Sequence, residues 1–340
     1  MMKLLVTGGC GFLGSNLVAE GMRRGHEVLA LDNLSRFGAT KNLEWLRTLG
    51  NFEFRHLDTR SFSDLEGAVK SFRPDAVFHL AGQVAMTTSL ENPRQDFEIN
   101  VIGGHNLIES VRRHVPEARV LYSSTNKVYG DLLDVPVREA ETRYCAEGYE
   151  HGFDEALRLE FQSPYGCSKG ATDQYMLDYH RMYGLKTMVF RHSSVFGVRQ
   201  FGTFDQGWVG WFLQQALETK RNPKHRFTIA GDGKQVRDVL FSDDLVECYF
   251  SALEAGPRAL GQAYNIGGGM ENSLSLLELF QFLDQELGIS LQFDRLPWRQ
   301  SDQKVFVADI RKAASFFGWK PRTSKGAGLR SALSWAQKEI

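Results

Sequence analysis

The chain has 340 residues, 42 % of them apolar and 24 % charged, and its 40 basic and 41 acidic side chains leave a formal charge of −1. This composition excludes disordered, collagenous and disulfide-scaffold classes, and the length amounts to about two domains' worth of chain, enough to bury a continuous core. Near-neutral charge argues against a general polyanion binder, so no nucleic acid is expected as a partner, while specific anion pockets remain open.

The cysteines, Cys10, Cys145, Cys167 and Cys248, form no CxxC pair, and no His cluster has metal-ligand spacing. They read as reduced thiols, and no metal is expected. The opening Leu4–Val6 runs straight into glycines without a charged-then-apolar leader, and no apolar run approaches the ~20 residues of a membrane span. A cytoplasmic protein with no membrane partner is expected.

Along the chain, Lys3–Val6 reads as an apolar strand, followed by a glycine turn and an amphipathic helix from Phe12 to Arg24. Strands follow at His26–Leu31, Phe52–Arg55, Ala76–Leu80, Val120–Ser124 and Thr187–Arg191, with helical patterns between them, notably Asp96–His114 and Tyr165–Tyr183. Strands alternating with helices imply an α/β fold of the Rossmann type, a doubly wound parallel sheet that binds ligands at the carboxyl ends of its strands. After about residue 197 the rhythm changes to glycine-rich loops, short strands and helices at Leu277–Leu287 and Leu329–Lys338. The expected division is a cofactor-binding domain over 1–197, with segments near 235–270 returning to it, and a smaller interleaved α/β substrate lobe over 198–340.

The turn Thr7-Gly8-Gly9-Cys10-Gly11-Phe12-Leu13-Gly14 satisfies GxxGxxG through Gly8, Gly11 and Gly14, and GxGxxG through Gly9, Gly11 and Gly14. Glycines here permit the tight turn and let the backbone approach a pyrophosphate facing the helix N-terminus, with Phe12 and Leu13 beside it. Asp32, 18 residues after Gly14, ends the second strand together with Asn33. A carboxylate there accepts from ribose hydroxyls and repels the extra phosphate of NADP, so NAD is predicted, with Arg36 the nearby residue that argues the other way. Asp58 ends the third strand and reads equally well as a neighbour of the adenine or as a solvated turn carboxylate.

Tyr165 and Lys169 stand at i and i+4, on one helical face. Use of a phenolate near pH 7 needs a depression of roughly 3 pKa units, which a nearby ammonium and a nicotinamide cation can supply together. Upstream, Ser123, Ser124 and Thr125 place three hydroxyls at the carboxyl end of a strand, where a substrate hydroxyl could be held. His79, inside an apolar strand, reads as a packed core residue, and Cys10 and Cys167 as small side chains in crowded turns.

Together with His79-Leu80-Ala81-Gly82, Asn100, Arg237-Asp238 and Asp302, these features resemble the extended short-chain dehydrogenase/reductase family, specifically its NAD-dependent nucleotide-sugar epimerases and dehydratases, over essentially the whole chain. The resemblance implies Leu80, Ala81, Gln83 and Asn100 as further cofactor neighbours and NAD held tightly and regenerated in each turnover. It favours Thr125, five positions before Gly130, over Ser124 as the substrate hydroxyl. It also implies Arg237 and Arg299 as diphosphate ligands with Asp302 close by, and a dimer or tetramer built on the helices at 96–114 and 165–183.

Family dehydratases carry an Asp-Glu pair where this chain has Asn126 and Lys127, so elimination of water lacks its proton carriers and epimerisation leads. His192-Ser193-Ser194 replaces the aromatic-Phe-Asn run usual in 4-epimerases, which makes His192 and Ser194 candidate sugar contacts. Segments at 82–89, 123–130, 191–194, 205–211 and 302–309 resemble the 2-epimerase branch that converts CDP-paratose to CDP-tyvelose. The expected chemistry is inversion at C2 through a transient 2-keto sugar, with Tyr165 as base, Thr125 holding the oxygen and Lys169 sharpening the phenol. A 4-epimerase or a nucleotide-sugar reductase remains as an alternative. A non-enzymatic cofactor sensor would not require the Tyr165, Lys169 and Thr125 set.

Overall fold

The structure, a computed structural model, describes residues 1–299 and 302–339. Its first part runs β1 (Lys3–Thr7), α1 (Phe12–Arg23), β2 (Glu27–Asp32), α2 (Ala39–Leu49), β3 (Glu53–His56), α3 (Phe62–Phe72) and β4 (Ala76–His79). Short helices α4 (Met86–Glu91) and α5 (Pro93–Phe97) lead into α6 (Gly103–His114) and β5 (Arg119–Thr125). A hairpin of β6 (Val137–Glu139) and β7 (Tyr144–Ala146) precedes the long α7 (Ser163–Tyr183) and β8 (Lys186–His192).

The remainder comprises β9 (Ser194–Phe196), α8 (Trp208–Arg221), β10 (Phe227–Ala230), β11 (Val236–Phe241), α9 (Ser242–Glu254) and β12 (Gln262–Ile266). It ends with β13 (Ser273–Ser275), α10 (Leu276–Leu287), β14 (Phe293–Leu296), β15 (Val305–Phe306), α11 (Arg311–Phe317) and α12 (Lys325–Glu339).

Seven strands form one parallel sheet in the order β12-β8-β5-β4-β1-β2-β3. Its strands are continuous apolar runs because helices cover both faces, so side chains of either parity are buried. From β1 the order runs outward to β2 and β3 on one side, and from β4 outward on the other. The crevice between the carboxyl ends of β1 and β4 is therefore the topological switch point at which such sheets take ligands.

Residues 242–266 rejoin this sheet. Strand β12 pairs with β8, and Leu245, Tyr249 and Phe250 of α9 share a core with Leu4, Val6 and Leu17. A second core, around Phe212, Phe227, Leu279, Phe280, Leu329 and Leu333, knits α8, α10 and α12 over the small strands. Strand β11 pairs with β9, β13 and β15, so this part is built on its own sheet.

The helix expected over 96–114 is present but begins at Pro93 and is not α-helical throughout. Chain from Glu98 to Ile102 forms a π turn between α5 and α6. There the Asn100 carbonyl accepts from Thr172 Oγ1 at 2.8 Å, and its amide is drawn into side-chain bonds. A π turn widens the helix by one residue and re-aims a side chain, and such turns recur at functional sites. The last helix begins at Lys325, four residues earlier than expected at Leu329.

Candidate functional site

A cavity of about 560 Å³ opens at the switch point, lined by the glycine turn, the ends of β2, β4 and β5, the start of α7 and the segment 192–209. Gly8 adopts φ +68°, and a Cβ there would meet the Ala81 nitrogen at 2.8 Å. A Cβ on Gly14 would overlap the Gly8 carbonyl oxygen, while one on Gly9 would meet Ala30 of β2. Gly9 thus serves strand packing. Gly8, Gly11, Phe12, Leu13 and Gly14 line the cavity.

Helix α1 starts at Gly11 with no side-chain cap and no acidic residue in its first turn. Its free N–H groups and the positive end of its dipole face an anion directly. These are the features a dinucleotide pyrophosphate needs, and they fit NAD.

At the end of β2, Asp32 accepts from the backbone N–H of Cys10 at 2.9 Å and of Leu34 at 2.8 Å. Burial raises its pKa, and those N–H groups oppose the rise. Asn33 donates to Asp58 at 2.9 Å. Arg60, through two hydrogen bonds, holds the Asp58 carboxyl well below the usual carboxylate range. All three residues line the cavity, so Asp58 is an ion-paired wall of it rather than a merely solvated turn carboxylate.

On the opposite wall, Leu80 N donates to the Thr7 carbonyl at 3.1 Å and Ala81 N to Thr7 Oγ1 at 3.2 Å. His79 bonds Thr7 Oγ1 at 2.7 Å and stacks on Tyr122 at 5.4 Å behind that wall, as a core residue should. Asn100, aimed by the π turn, accepts from Gln83 N at 2.9 Å and donates to Ser168 Oγ at 2.9 Å. Asn100 therefore supports the wall without being among the cavity-lining residues.

Tyr165 and Lys169, on the first turns of α7, line the cavity together with Thr125. The Lys169 ammonium donates to the Ser123 carbonyl and lies 4.4 Å from the Tyr122 ring centroid. Burial pushes Lys169 down to about 7 and Tyr165 up to about 12, the latter opposed by Thr125. The expected depression of Tyr165 is absent from the protein alone, because burial dominates there. It requires additional positive charge in the cleft.

The other expected residues have partners of their own. Ser124 lines the cavity, but its hydroxyl donates to Asp173 at 2.8 Å, and that carboxylate is in turn paired with Arg191. Its proton is thus committed to a buried ion pair. Arg237, Arg299 and Asp302 are not among the residues lining the cavity. The Arg237 guanidinium is engaged by Asp302 at 2.7 Å, while Arg299 lies over the Phe204 ring at 5.2 Å.

His192 does reach the cavity, bonded to Ser123 Oγ at 3.2 Å and to Tyr249 at 3.4 Å, and burial pushes its pKa down to about 3. Ser194 also lines it and accepts from the Trp208 indole at 2.9 Å. Trp208 borders the cavity, whereas Phe196 and Phe212 belong to the second core.

Sequence reasoning missed the contacts of Asp96 and the first part of the strap 199–207, whose end falls in the singled-out segment 205–211. Asp96 stands four residues before Asn100 and could have been found by that helical spacing. The strap carries Gln200, whose buried Oε1 has no partner among the described residues. No composition or periodicity signal marks it. Among the described residues there is no group of three or more His, Cys, Asp or Glu placed to hold a metal, and no helix is long and apolar enough to cross a membrane.

Comparison with known proteins fits this geometry. The model of the NAD dependent epimerase/dehydratase family matches residues 4–267. CDP-paratose 2-epimerase of Salmonella typhi is 55 % identical over 334 residues, covering 98 % of this chain and 99 % of that protein. The solved UDP-glucose 4-epimerase of Thermotoga maritima with UDP-glucose is 30 % identical, with a TM-score of 0.83 and 99 % of both chains covered. That of Thermus thermophilus in complex with NAD is 29 % identical, with a TM-score of 0.84 and 100 % of both covered. The chain is a Rossmann-type, NAD-dependent isomerase and belongs to the NAD dependent epimerase/dehydratase family.

Proposed function

We propose that this protein inverts C2 of a CDP-activated dideoxyhexose, converting CDP-paratose to CDP-tyvelose. The observation that carries the sugar assignment is the 55 % identity to CDP-paratose 2-epimerase across 98 % of the chain. It is supported by Asn126 and Lys127 standing where a dehydratase needs two carboxylates. The Asn126 amide donates to Gln303 at 3.0 Å, so it offers a fixed neutral group instead of an acid.

Gly8, Gly11, Phe12, Leu13 and Gly14 would cradle the NAD pyrophosphate, with Asp32, Asn33 and Asp58 around the adenosine. Leu80, Ala81 and Gln83 would line the nicotinamide side, with Asn100 behind them. When bound, the oxidised nicotinamide supplies a reversible hydride acceptor beside the sugar. Tyr165, as phenolate, takes the proton of the C2 hydroxyl, Thr125 holds the same oxygen, and Lys169 favours the ionised phenol and binds the nicotinamide ribose. Once a 2-keto sugar has turned over in the cavity, Tyr165 returns the proton on completion of the inversion. His192 and Ser194 border the space in which the hexose rotates. Arg237, Arg299 and Asp302 would meet the diphosphate only after their present partners are exchanged for it.

We assign the cofactor role to residues 1–197 with the returning 242–266, and nucleotide-sugar binding to most of the rest. Tyr175, Met182 and Tyr183 of α7, with Phe97 and Ile102 beside α6, form an exposed apolar face suited to a second copy of the chain in the cytoplasm.

Separate incubations with CDP-paratose and UDP-glucose test the assignment. Epimerisation of the CDP sugar at C2 supports it. Turnover of UDP-glucose alone would replace it with a 4-epimerase.

A further inference from the structure

The catalytic end of α7 is clamped from outside by Asp96, a side chain only 1 % exposed, on α5 just before the π turn. Ser168, between Tyr165 and Lys169 in the chain, hydrogen-bonds its carboxylate through Oγ. Gln83 Nε2 donates to the other oxygen at 3.0 Å and Asn100 Nδ2 at 3.3 Å. Each partner can act as donor to the carboxylate, the pattern an ionised Asp satisfies without a proton of its own. Yet among the described residues Asp96 forms no ion pair. A buried, unpaired carboxylate is costly to keep, and the positive charge that acts on it is the Lys169 ammonium, carried one residue after the Ser168 that bonds it.

The groups around Lys169 leave that role to Asp96. From α7 itself comes Asp173, whose charge is already matched by Arg191 through two contacts at 2.9 Å. From β4 and β8 come His79 and His192, both neutral because burial pushes them down to about 3. Tyr122 from β5 and Tyr165 from α7 present phenols that burial keeps protonated. Burial works against the Lys169 charge, and Asp96, ahead of the Arg191-paired Asp173, is the larger of the two carboxylate influences that oppose the loss.

We propose that Asp96 is a positioning residue of the reaction, which fixes the Tyr165–Lys169 turn through Ser168 and Asn100 and keeps Lys169 protonated as its buried counter-charge. This rests on the epimerase reading only for the assay used. In that reading Lys169 must carry its proton, so loss of the Asp96 charge should make activity fall away at a lower pH.

The test compares the unaltered enzyme with Asp96→Asn and Asp96→Glu in two ways: the alkaline limb of the pH–kcat profile, and titration of the Lys169 ¹³Cε resonance, assigned against Lys169→Met. In Asp96→Asn both midpoints should move acidward by about one unit, the scale for removing a neighbouring opposite charge. In Asp96→Glu, which keeps the charge, they should stay near their original positions even if kcat falls. Unmoved midpoints in Asp96→Asn, or equal displacement in both variants, would overturn the proposal. Should Asp96→Asn fail to fold, Asp96→Glu still decides it: a Lys169 midpoint kept at the value of the unaltered enzyme supports the proposal, and one moved in the Glu variant refutes it. Failure of the sugar assignment is distinct, since neither enzyme would then turn over CDP-paratose while the resonance would still report.

Discussion

Arg36 and Asp205 meet across the mouth of the cleft at 3.3 Å, and Arg36 also donates to Thr203 Oγ1 at 3.0 Å. Arg36 is the basic residue nearest Asp32 in sequence and so the natural receptor for an NADP 2′-phosphate. The structure turns it away toward the strap. Asn42 and Asn16 further tie the strap's root to the coenzyme side through the carbonyls of Arg199 and Val198, at 3.3 and 3.2 Å.

Asp205→Asn should therefore release Arg36 and narrow the preference for NAD over NADP several-fold, while Arg36→Ala should leave that preference intact. Titration of both coenzymes against each variant by calorimetry checks this. The pair is partly exposed, so its own contribution is below about 1 kcal/mol and fades with salt.

Gly14→Ala should abolish coenzyme retention, because the new Cβ overlaps the Gly8 carbonyl and pushes α1 off the turn. Overpacking of this kind costs about 1–3 kcal/mol. A lowered melting temperature, with no coenzyme absorbance in the supernatant after denaturation, is the expected result.

Acid stability follows from two buried histidines. His79 and His192 are pushed down by burial to about 3, against about 6.5 in an unfolded chain. Between those values the unfolded state binds more protons, so stability rises with pH across the window and is lost as pH falls through it. His79→Asn, which can still bond Thr7, should be less stable at neutral pH but lose less on going from pH 6.5 to 4. Urea midpoints measured across that range would show the flatter dependence.

Tyr165→Phe removes the proton carrier and leaves the cavity's shape. Turnover should fall about 10²–10⁴-fold, the usual worth of a positioned acid–base group, with coenzyme still bound. A variant retaining most of its activity would mean that another group takes the proton.

What the sequence revealed was mostly local. The strand–turn–helix from Lys3, Asp32 at its strand end, and Tyr165 with Lys169 one turn apart follow from apolar runs, glycines and helical spacing, all read within a few residues. What it hid was decided at long range. Helical periodicity reads straight through 98–102, and the π turn arises because Asn100 is bonded to Thr172, Gln83 and Ser168 from other elements. Ser124 looked like its neighbour Thr125 until Asp173, 49 residues on, claimed its hydroxyl. Arg237 was expected to meet a diphosphate, and its ion pair with Asp302, 65 residues on, is a contact that only the fold reveals. For Tyr165, spacing shows its lysine neighbour and not the burial that pushes the phenol up in the protein alone.

The most direct test of the C2 chemistry is CDP-paratose carrying deuterium at C2, incubated with the enzyme in ordinary water. If the hydrogen leaves C2 as hydride and returns within the closed site, CDP-tyvelose should retain the label at C2 through many turnovers. Replacement of the deuterium by a solvent proton would contradict the account and point instead to direct deprotonation of the carbon.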